Sequence, residues 1–211
     1  MGLSADRLRA DLDALAAREP AFAAALGRVG YPPPRVRERG FATLLRTIVG
    51  QQVSVASADA VWRKLGEVLG ADGGGATDPA RVAAATDDEL RAAGLSRQKA
   101  GYARSLADEV TSGRLPLHAL PPDDEEAIAA LIRVKGIGRW SAEIYLLFAE
   151  ARPDIWPAGD LAVQIEVGRL LGTPERPSER RTRELAEGWR PHRGAAAIFA
   201  WHHYNSDMAP I

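Results

Sequence analysis

The sequence of 211 residues contains no cysteine. This absence excludes disulfides, thiolate zinc sites, a cysteine nucleophile and cysteine-ligated iron–sulfur clusters. No apolar run is long enough to cross a bilayer, and the N-terminus lacks the apolar core of a secretion signal. We therefore expect a soluble cytoplasmic protein with no membrane partner.

A strong net charge is also absent. The formal net charge is -1 and the pI is about 6.4, which argues against a nucleic-acid partner unless positive charge is gathered locally. Strand-like alternation of apolar and polar residues is missing too, although hydrophobic residues make up 46% of the chain. These features predict an all-α fold, and the length suits a single compact unit over residues 1–211.

The first helix is predicted from Leu8, Leu12 and Leu15, which repeat at helical spacing. Pro20 and the run Tyr31–Pro34 are expected to end this segment. Further along, Ser54 or Ser57 is placed to cap a helix over residues 55–69, and Thr86 begins a capping sequence.

A Gly-x-Gly turn, Gly136–Gly138, separates two predicted helices. So short a connection requires glycines in backbone conformations that other residues avoid, and it exposes N–H groups where a phosphate oxygen can bind. Positive charge gathers around the turn at Arg133, Lys135 and Arg139. The turn therefore predicts a contact with a nucleic-acid backbone.

Two other interpretations of this turn are open. It can be an ordinary connection between helices, or Gly136–Ser141 can be a dinucleotide-binding fingerprint with Asp160 as the acidic residue downstream. The fingerprint requires a preceding β-strand, whereas residues 127–133 are helical in composition. The dinucleotide interpretation is therefore much less favoured.

Four separated blocks resemble a known family. The first three are Ile48–Ser54, Lys135–Ala142 and Trp156–Asp160, and a weaker fourth runs from Trp189 to Arg193 and leads to Trp201. Together they are similar to the helix-hairpin-helix DNA glycosylases (HhH-GPD superfamily), and within these to the bacterial DNA-3-methyladenine glycosylase II branch. About forty residues precede the first block, so the N-terminal β-domain of two-domain relatives is not expected.

The resemblance implies an all-α, two-lobed fold with the active site in the cleft between lobes. It places lobe one at about residues 40–152, including the hairpin, and lobe two at about residues 1–39 plus 153–211. The expected partner is double-stranded DNA containing damaged bases, bound by a monomer associated with the bacterial nucleoid. No cofactor is required, and no iron–sulfur cluster is expected.

Asp160 is similar to the catalytic aspartate of the family. A carboxylate there would stabilise the positive charge that develops on the sugar as the base leaves; its structural alternative is a helix N-cap. Lyase-competent relatives have a lysine where this chain has Trp140, so the resemblance implies a monofunctional hydrolase that leaves an abasic site. The implied substrates are alkylated purines of the 3-methyladenine and 7-methylguanine type; uracil or other deaminated bases, and a non-catalytic DNA-binding protein, are the alternatives.

The resemblance also implies a base pocket. Trp140 and Trp201 are expected as aromatic walls, because an aromatic face attracts a cationic base, although Trp140 is also compatible with a core position. Ile144 stands where relatives have an aromatic pocket residue, and Leu161 follows Asp160, so the pocket is expected to be less aromatic. His202 and His203 are candidates for the pocket or for the surface.

The remaining implied sites concern the DNA itself. Gln52, or its neighbour Gln51, is expected to fill the gap left by a flipped base; Gln51 can instead brace the loop. Contacts to the DNA backbone are expected from Lys135, Gly136, Gly138 and Arg139. A monovalent cation, Na or K, is expected at the backbone carbonyls of Ile132, Val134 and Gly136.

Overall fold

The computed structural model describes residues 2–70 and 75–207, and all regular secondary structure within them is helical. The helices are α1 (Ala5–Arg18), α2 (Pro20–Val29), α3 (Phe41–Gly50), α4 (Val55–Leu69), α5 (Pro79–Ala84), α6 (Asp87–Ala92), α7 (Arg97–Thr111), α8 (Asp124–Ile132), α9 (Arg139–Phe148), α10 (Leu161–Leu171), α11 (Glu179–Leu185) and α12 (Arg193–Asp207). A short 3₁₀ helix, Ala186–Trp189, follows α11. The predicted all-α class is confirmed.

Polar caps set several helix starts where the sequence placed them. The Ser54 hydroxyl accepts a hydrogen bond from the Ser57 backbone N–H, so Ser54 rather than Ser57 caps α4. At α6 the Thr86 and Glu89 side chains each accept from the other's backbone N–H, which is a complete capping box. These caps satisfy N–H groups that have no partner within the helix.

The first helix ends at Arg18, just before Pro20, as expected, but the second helix that starts there was not predicted. Pro20 is the first residue of α2, and Glu19 separates it from α1. Proline suits the first helical position because its missing N–H would have no acceptor there and its φ is already helical. The chain therefore turns at Pro20 and continues as a second helix to Val29.

The chain divides into two compact units. The first combines the described residues up to Arg37 with those from Leu146 onward, and the second runs from Glu38 to Tyr145. In the first unit α1 contributes fully buried leucines, and the Phe22 ring lies 5.0 Å from the ring of Trp189 and 5.7 Å from that of Phe199. This apolar core joins the N-terminal helices to the C-terminal ones within the first unit.

In the second unit α3 packs against α4 and α7. Leu44, Leu45 and Ile48 of α3 are completely buried there, and burial of each such side chain contributes roughly 1.5–3 kcal/mol. The Lys99 ammonium of α7 donates to the Val49 carbonyl at 2.7 Å. The α3 C-terminus is thereby held against the start of α7.

Among the helices of residues 2–70 and 75–207, none is both long enough and apolar enough to cross a membrane.

Candidate active site and nucleic-acid interface

The hairpin turn joins α8 to α9, and its two glycines have different roles. Gly136 has a φ of +87°, and a Cβ at this position would lie 2.2 Å from Cδ2 of the Tyr102 ring. Gly138 has no positive φ, and a Cβ there would meet nothing within 4 Å. The expectation that the turn needs a backbone conformation closed to other residues is therefore correct for Gly136 alone. The open space at Gly138 lies at the start of α9.

The backbone of the turn is ordered by a few contacts and leaves two N–H groups available. The Lys135 N–H donates to the Ser105 hydroxyl at 3.0 Å, and the Ile137 N–H donates to the Val134 carbonyl at 3.0 Å. Among the described residues, no group accepts a hydrogen bond from the N–H of Gly136 or from that of Gly138. N–H groups at a helix start that lack a protein acceptor suit an anion.

The helix before the turn rules out the dinucleotide interpretation. Residues 124–132 form α8, so no β-strand leads into the glycines. A dinucleotide-binding glycine loop requires a strand in that place. The two flanking helices instead match the predicted hairpin.

Arg139 is held by two carboxylates. Its guanidinium donates to both Glu125 oxygens, at 2.9 and 2.5 Å, and its Nε donates to Glu143 at 2.9 Å. The hydrogen bonds to Glu125 are the main cause of the raised pKa of Arg139. Much of its positive charge is balanced within the protein, so it is a weaker candidate for a phosphate contact than Lys135, which is exposed.

The loop after α3 positions the two glutamines differently. The Gln51 amide Nε2 donates to the Gly136 carbonyl at 2.7 Å, which ties the loop to the hairpin. Gln52 is exposed and has a φ of +55°, a conformation that is uncommon outside glycine. Within this loop the bracing role fits Gln51, while Gln52 is the side chain presented to solvent.

Asp160 caps α10 in the first unit. One carboxylate oxygen, Oδ1, accepts from the Val163 backbone N–H at 3.0 Å and from the Trp201 indole Nε1 at 3.0 Å. The cap role and the proposed catalytic role are therefore compatible, because the cap fixes the direction of the carboxylate. Trp201 stands beside Asp160, and its ring centroid lies 5.7 Å from that of Phe148.

The other predicted pocket residues differ in exposure. Trp140, in the first turn of α9, is 47% exposed, so it is not a core side chain. Leu161, which follows Asp160, is 55% exposed, whereas Ile144 is 6% exposed. Trp140 and Leu161 therefore present apolar surface, and Ile144 is buried.

The histidines of α12 belong to polar contacts within the first unit. His203 is buried, with Nδ1 at 2.6 Å from Glu166 Oε1 and Nε2 at 2.8 Å from Arg28 Nη2. Because arginine can only donate, Nε2 must accept and the proton lies on Nδ1. His202 contacts the Val29 carbonyl at 3.0 Å. Both histidines therefore connect α12 to neighbouring segments, which leaves Trp201 as the α12 side chain at Asp160.

The carbonyls expected to bind a monovalent cation have hydrogen bonds already. The Gly136 carbonyl accepts from Gln51, and the Val134 carbonyl accepts from the Ile137 N–H. A carbonyl oxygen has two lone pairs, so these bonds are compatible with a cation. No group of three or more His, Cys, Asp or Glu side chains suited to a metal is found in the described part of the chain.

Several residues at these sites carried no sequence signal. Tyr102 and Ser105 contact the hairpin from α7, and Glu125 and Glu143 hold Arg139. Arg35 lies with its guanidinium carbon 5.9 Å from the Trp201 ring centroid. Each contact depends on packing between segments that are far apart in sequence, so spacing alone could not reveal it.

Comparison with known proteins agrees with this geometry. Residues 45–191 match the model of the HhH-GPD superfamily base excision DNA repair protein. DNA-3-methyladenine glycosylase 1 of Schizosaccharomyces pombe is 30% identical over 175 residues, which are 81% of this chain and 76% of that protein. DNA-3-methyladenine glycosylase 2 of Escherichia coli is 30% identical over 188 residues, which are 84% of this chain and 64% of that protein.

A solved structure is similar along nearly the whole chain. The S. pombe 3-methyladenine DNA glycosylase in complex with abasic DNA superposes with a TM-score of 0.76 at 27% identity, covering 94% of this chain and 97% of that one. The fold and the hairpin therefore define a helix-hairpin-helix DNA repair protein. The chain belongs to the HhH-GPD superfamily of base excision DNA repair proteins.

Proposed function

We propose that this protein is a monofunctional DNA glycosylase of base excision repair that removes alkylated purines from double-stranded DNA. The observation that carries the proposal is the Asp160 carboxylate, oriented by the Val163 N–H and the Trp201 indole. Relatives named DNA-3-methyladenine glycosylase support 3-methyladenine as a substrate, and the proposal extends to lesions of the 7-methylguanine type, which also carry a positive charge on the base. The DNA complex of the S. pombe relative supports DNA as the partner, and we place the activity on the chromosome in the bacterial cytoplasm.

The reaction is hydrolysis of the N-glycosidic bond. The bond between C1′ and the base nitrogen breaks, and its electron pair leaves with the base, so that an N-alkylated cationic purine departs as a neutral molecule. The positive charge that develops on the sugar is stabilised by Asp160. Water adds to C1′ and loses a proton to the carboxylate or to solvent, which leaves an abasic site and an uncut strand.

Two tryptophans are the proposed contacts with the base. A cationic purine is attracted to an aromatic face by roughly 0.5–2 kcal/mol, and Trp201 stands at Asp160 while Trp140 is 47% exposed. An indole at position 140 cannot form the covalent sugar adduct that a lysine forms. Base release by water therefore fits this chain better than a lyase reaction.

The second unit is proposed to hold the DNA. Phosphate oxygens accept from the N–H groups of Gly136 and Gly138, with the Lys135 ammonium nearby. Gln52 enters the space vacated by the flipped base, and Gln51 holds the loop by its bond to Gly136. Carbonyl oxygens of Ile132, Val134 and Gly136 would hold Na or K, which adds positive charge beside the phosphate.

Substitution of Asp160 tests the mechanism. Asn in place of Asp160 keeps an oxygen for the Val163 N–H and the Trp201 indole, so the cap and the fold are expected to persist. Release of 3-methyladenine and 7-methylguanine from methylated duplex DNA should fall by a factor of 10² or more, about the cost of removing one transition-state electrostatic contact. Binding to duplex DNA should persist.

The control is Asp78→Asn, because Asp78 is also a carboxylate N-cap, at α5. This variant should release bases at the wild-type rate. An Asp160→Asn protein with wild-type release would refute the mechanism. A wild-type protein that binds duplex DNA but releases neither alkylated nor deaminated bases would instead favour the non-catalytic alternative, and release of uracil or hypoxanthine alone would favour the deaminated-base alternative.

A further inference from the structure

Arg35 places a positive charge beside the proposed base site. Its guanidinium carbon lies 5.9 Å from the Trp201 ring centroid, and the same indole donates to Asp160. No carboxylate among the described residues forms an ion pair with Arg35, and its side chain is exposed. The charge is therefore not balanced by a salt bridge.

The Trp201 ring is already partly covered. Phe148 lies 5.7 Å from it, centroid to centroid, and Trp201 retains only 9% exposure. A base that stacks on this ring must either lie next to the Arg35 guanidinium or displace it. If the base displaces the Arg35 guanidinium, the loss of the cation–π contact is the same for every base. If the base binds beside the guanidinium, charge repulsion weakens the binding of a cationic base and has little effect on a neutral one.

We infer that Arg35 is a specificity-determining residue: its charge at the Trp201 ring reduces the preference for cationic bases and broadens the enzyme toward neutral damaged bases. This inference rests on the proposed function. An aromatic face attracts a cationic purine and so favours an alkylated base over a neutral one. A guanidinium on the same ring opposes that selectivity.

The expected size of the effect follows from the separation of the charges. Two unit charges about 7 Å apart, at an effective dielectric constant of roughly 40–80 near the surface, change a rate ratio by roughly three- to sevenfold. Salt screens such an interaction, because the Debye length is about 10 Å at 0.1 M ionic strength. The effect of Arg35 should therefore be largest at low salt.

The experiment compares two lesions in otherwise identical duplexes: 7-methylguanine, whose base is cationic before release, and hypoxanthine, which is neutral. Second-order rate constants for base release are measured for the wild type, Arg35→Gln and Arg35→Lys, with the enzyme in excess over the duplex but below its Kd, so that they report the transition state relative to free DNA. The ratio of the 7-methylguanine rate to the hypoxanthine rate should rise roughly three- to sevenfold in Arg35→Gln. Arg35→Lys, which keeps the charge, should retain the wild-type ratio.

A matched control is Arg9→Gln. Arg9 makes the same kind of contact in the same unit, with its guanidinium carbon 4.3 Å from the Tyr31 ring centroid, but on a different ring. Its removal should leave the ratio unchanged. Added salt should raise the wild-type ratio toward that of Arg35→Gln and should have little effect on the ratio of Arg35→Gln itself.

Three results would overturn the inference. One is an Arg35→Gln protein in which both rates fall by the same factor, as expected if Arg35 only binds phosphate or supports the fold. Another is a rate ratio that changes in Arg35→Lys as much as in Arg35→Gln, because lysine keeps the positive charge and the charge would then not explain the change. A wild-type protein that releases neither base would refute the proposed function itself, which separates that failure from a failure specific to Arg35.

Discussion

The hairpin glycines allow stability and DNA binding to be tested separately. Alanine at Gly136 would require a φ of +87° in a residue with a Cβ, and that Cβ would lie 2.2 Å from the Tyr102 ring. Alanine at Gly138 would have no positive φ and would meet nothing within 4 Å. One substitution therefore disturbs the fold of the turn, and the other changes only the surface that faces a ligand.

The two costs at Gly136 can be estimated. A left-handed backbone costs a residue with a Cβ roughly 1–2 kcal/mol, and overlap with a packed ring costs roughly 1–3 kcal/mol more. We expect Gly136→Ala to lower the free energy of unfolding by about 2–5 kcal/mol, a large share of the roughly 5–15 kcal/mol typical of a whole protein. For a chain of this length the melting temperature should fall by roughly 5–15 °C.

Gly138→Ala should lower the free energy of unfolding by no more than about 1 kcal/mol, because Gly138 precedes the first residue of α9, where alanine is only a slightly poorer cap than glycine, and no contact opposes the methyl group. Its methyl group would, however, occupy the approach of a phosphate to the start of α9. We expect weaker binding of duplex DNA, on the order of tenfold or about 1.4 kcal/mol. Urea unfolding followed by circular dichroism, with DNA affinity measured at fixed salt, checks both variants.

The double variant Gly136→Ala with Tyr102→Ala separates the two costs. Removal of the ring relieves the overlap and leaves the strain of the backbone, so the combined loss of stability should be smaller than the sum of the single losses. Additive losses would show that the ring moves aside and that the overlap costs nothing. Equal stability of Gly136→Ala and Gly138→Ala would refute the assignment of different roles to the two glycines.

Two further predictions concern the glutamine loop and an acid-sensitive cap. Gln52→Gly should stabilise the fold by roughly 0.5–1 kcal/mol, since glycine adopts the φ of +55° freely, and it should slow base release from duplex DNA. Gln51→Ala should instead destabilise the fold by roughly 1 kcal/mol, because the hydrogen bond to the Gly136 carbonyl is lost. Thermal melts and release assays check both variants. Equal effects of the two substitutions would contradict the assignment of a bracing role to Gln51 and a gap-filling role to Gln52. The pKa of Glu89 is lowered from 4.5 to about 2, chiefly by the Thr86 backbone N–H and then by Arg81. Because the pKa in the folded state is below that in the unfolded state, the stabilisation is full above about pH 4.5 and disappears as the pH falls toward 2. Glu89→Gln should therefore melt below the wild type near neutral pH, with the gap narrowing in acid, and a gap independent of pH would contradict the assignment.

The helices were largely predictable because their signals are local. Ser54 and Thr86 cap helices where the sequence placed them, since a cap depends only on residues within one turn. Pro20 follows the end of α1 as expected, but it also begins α2, which was not predicted, because proline suits a first helical position as well as the end of a helix. Local chemistry alone does not state which of the two positions a proline occupies.

The candidate site was predictable in its residues more than in its contacts. The motif blocks marked Asp160 and Trp201, and the structure joins them by a hydrogen bond across 41 positions of the sequence. Gln51 and Gln52 are chemically identical, so only the bond from Gln51 to Gly136 and the positive φ of Gln52 distinguish them. Arg35 carried no motif at all, because its contact with Trp201 depends on the packing of the first unit.

Charge at the hairpin shows why residue type alone misleads. The sequence predicts a positive cluster, but Arg139 is occupied by Glu125 and Glu143, and Arg133 donates to the Arg114 carbonyl at 2.7 Å. The carbonyl does not neutralise Arg133, so the remaining positive charge is that of Arg133 and Lys135, and the backbone N–H groups of the glycines are beside it. Backbone donors contribute no net charge, which is how a protein with a formal charge of -1 can hold a DNA phosphate. Gly138, which carries no side chain, is therefore a sharper test of the hairpin than any of its basic residues.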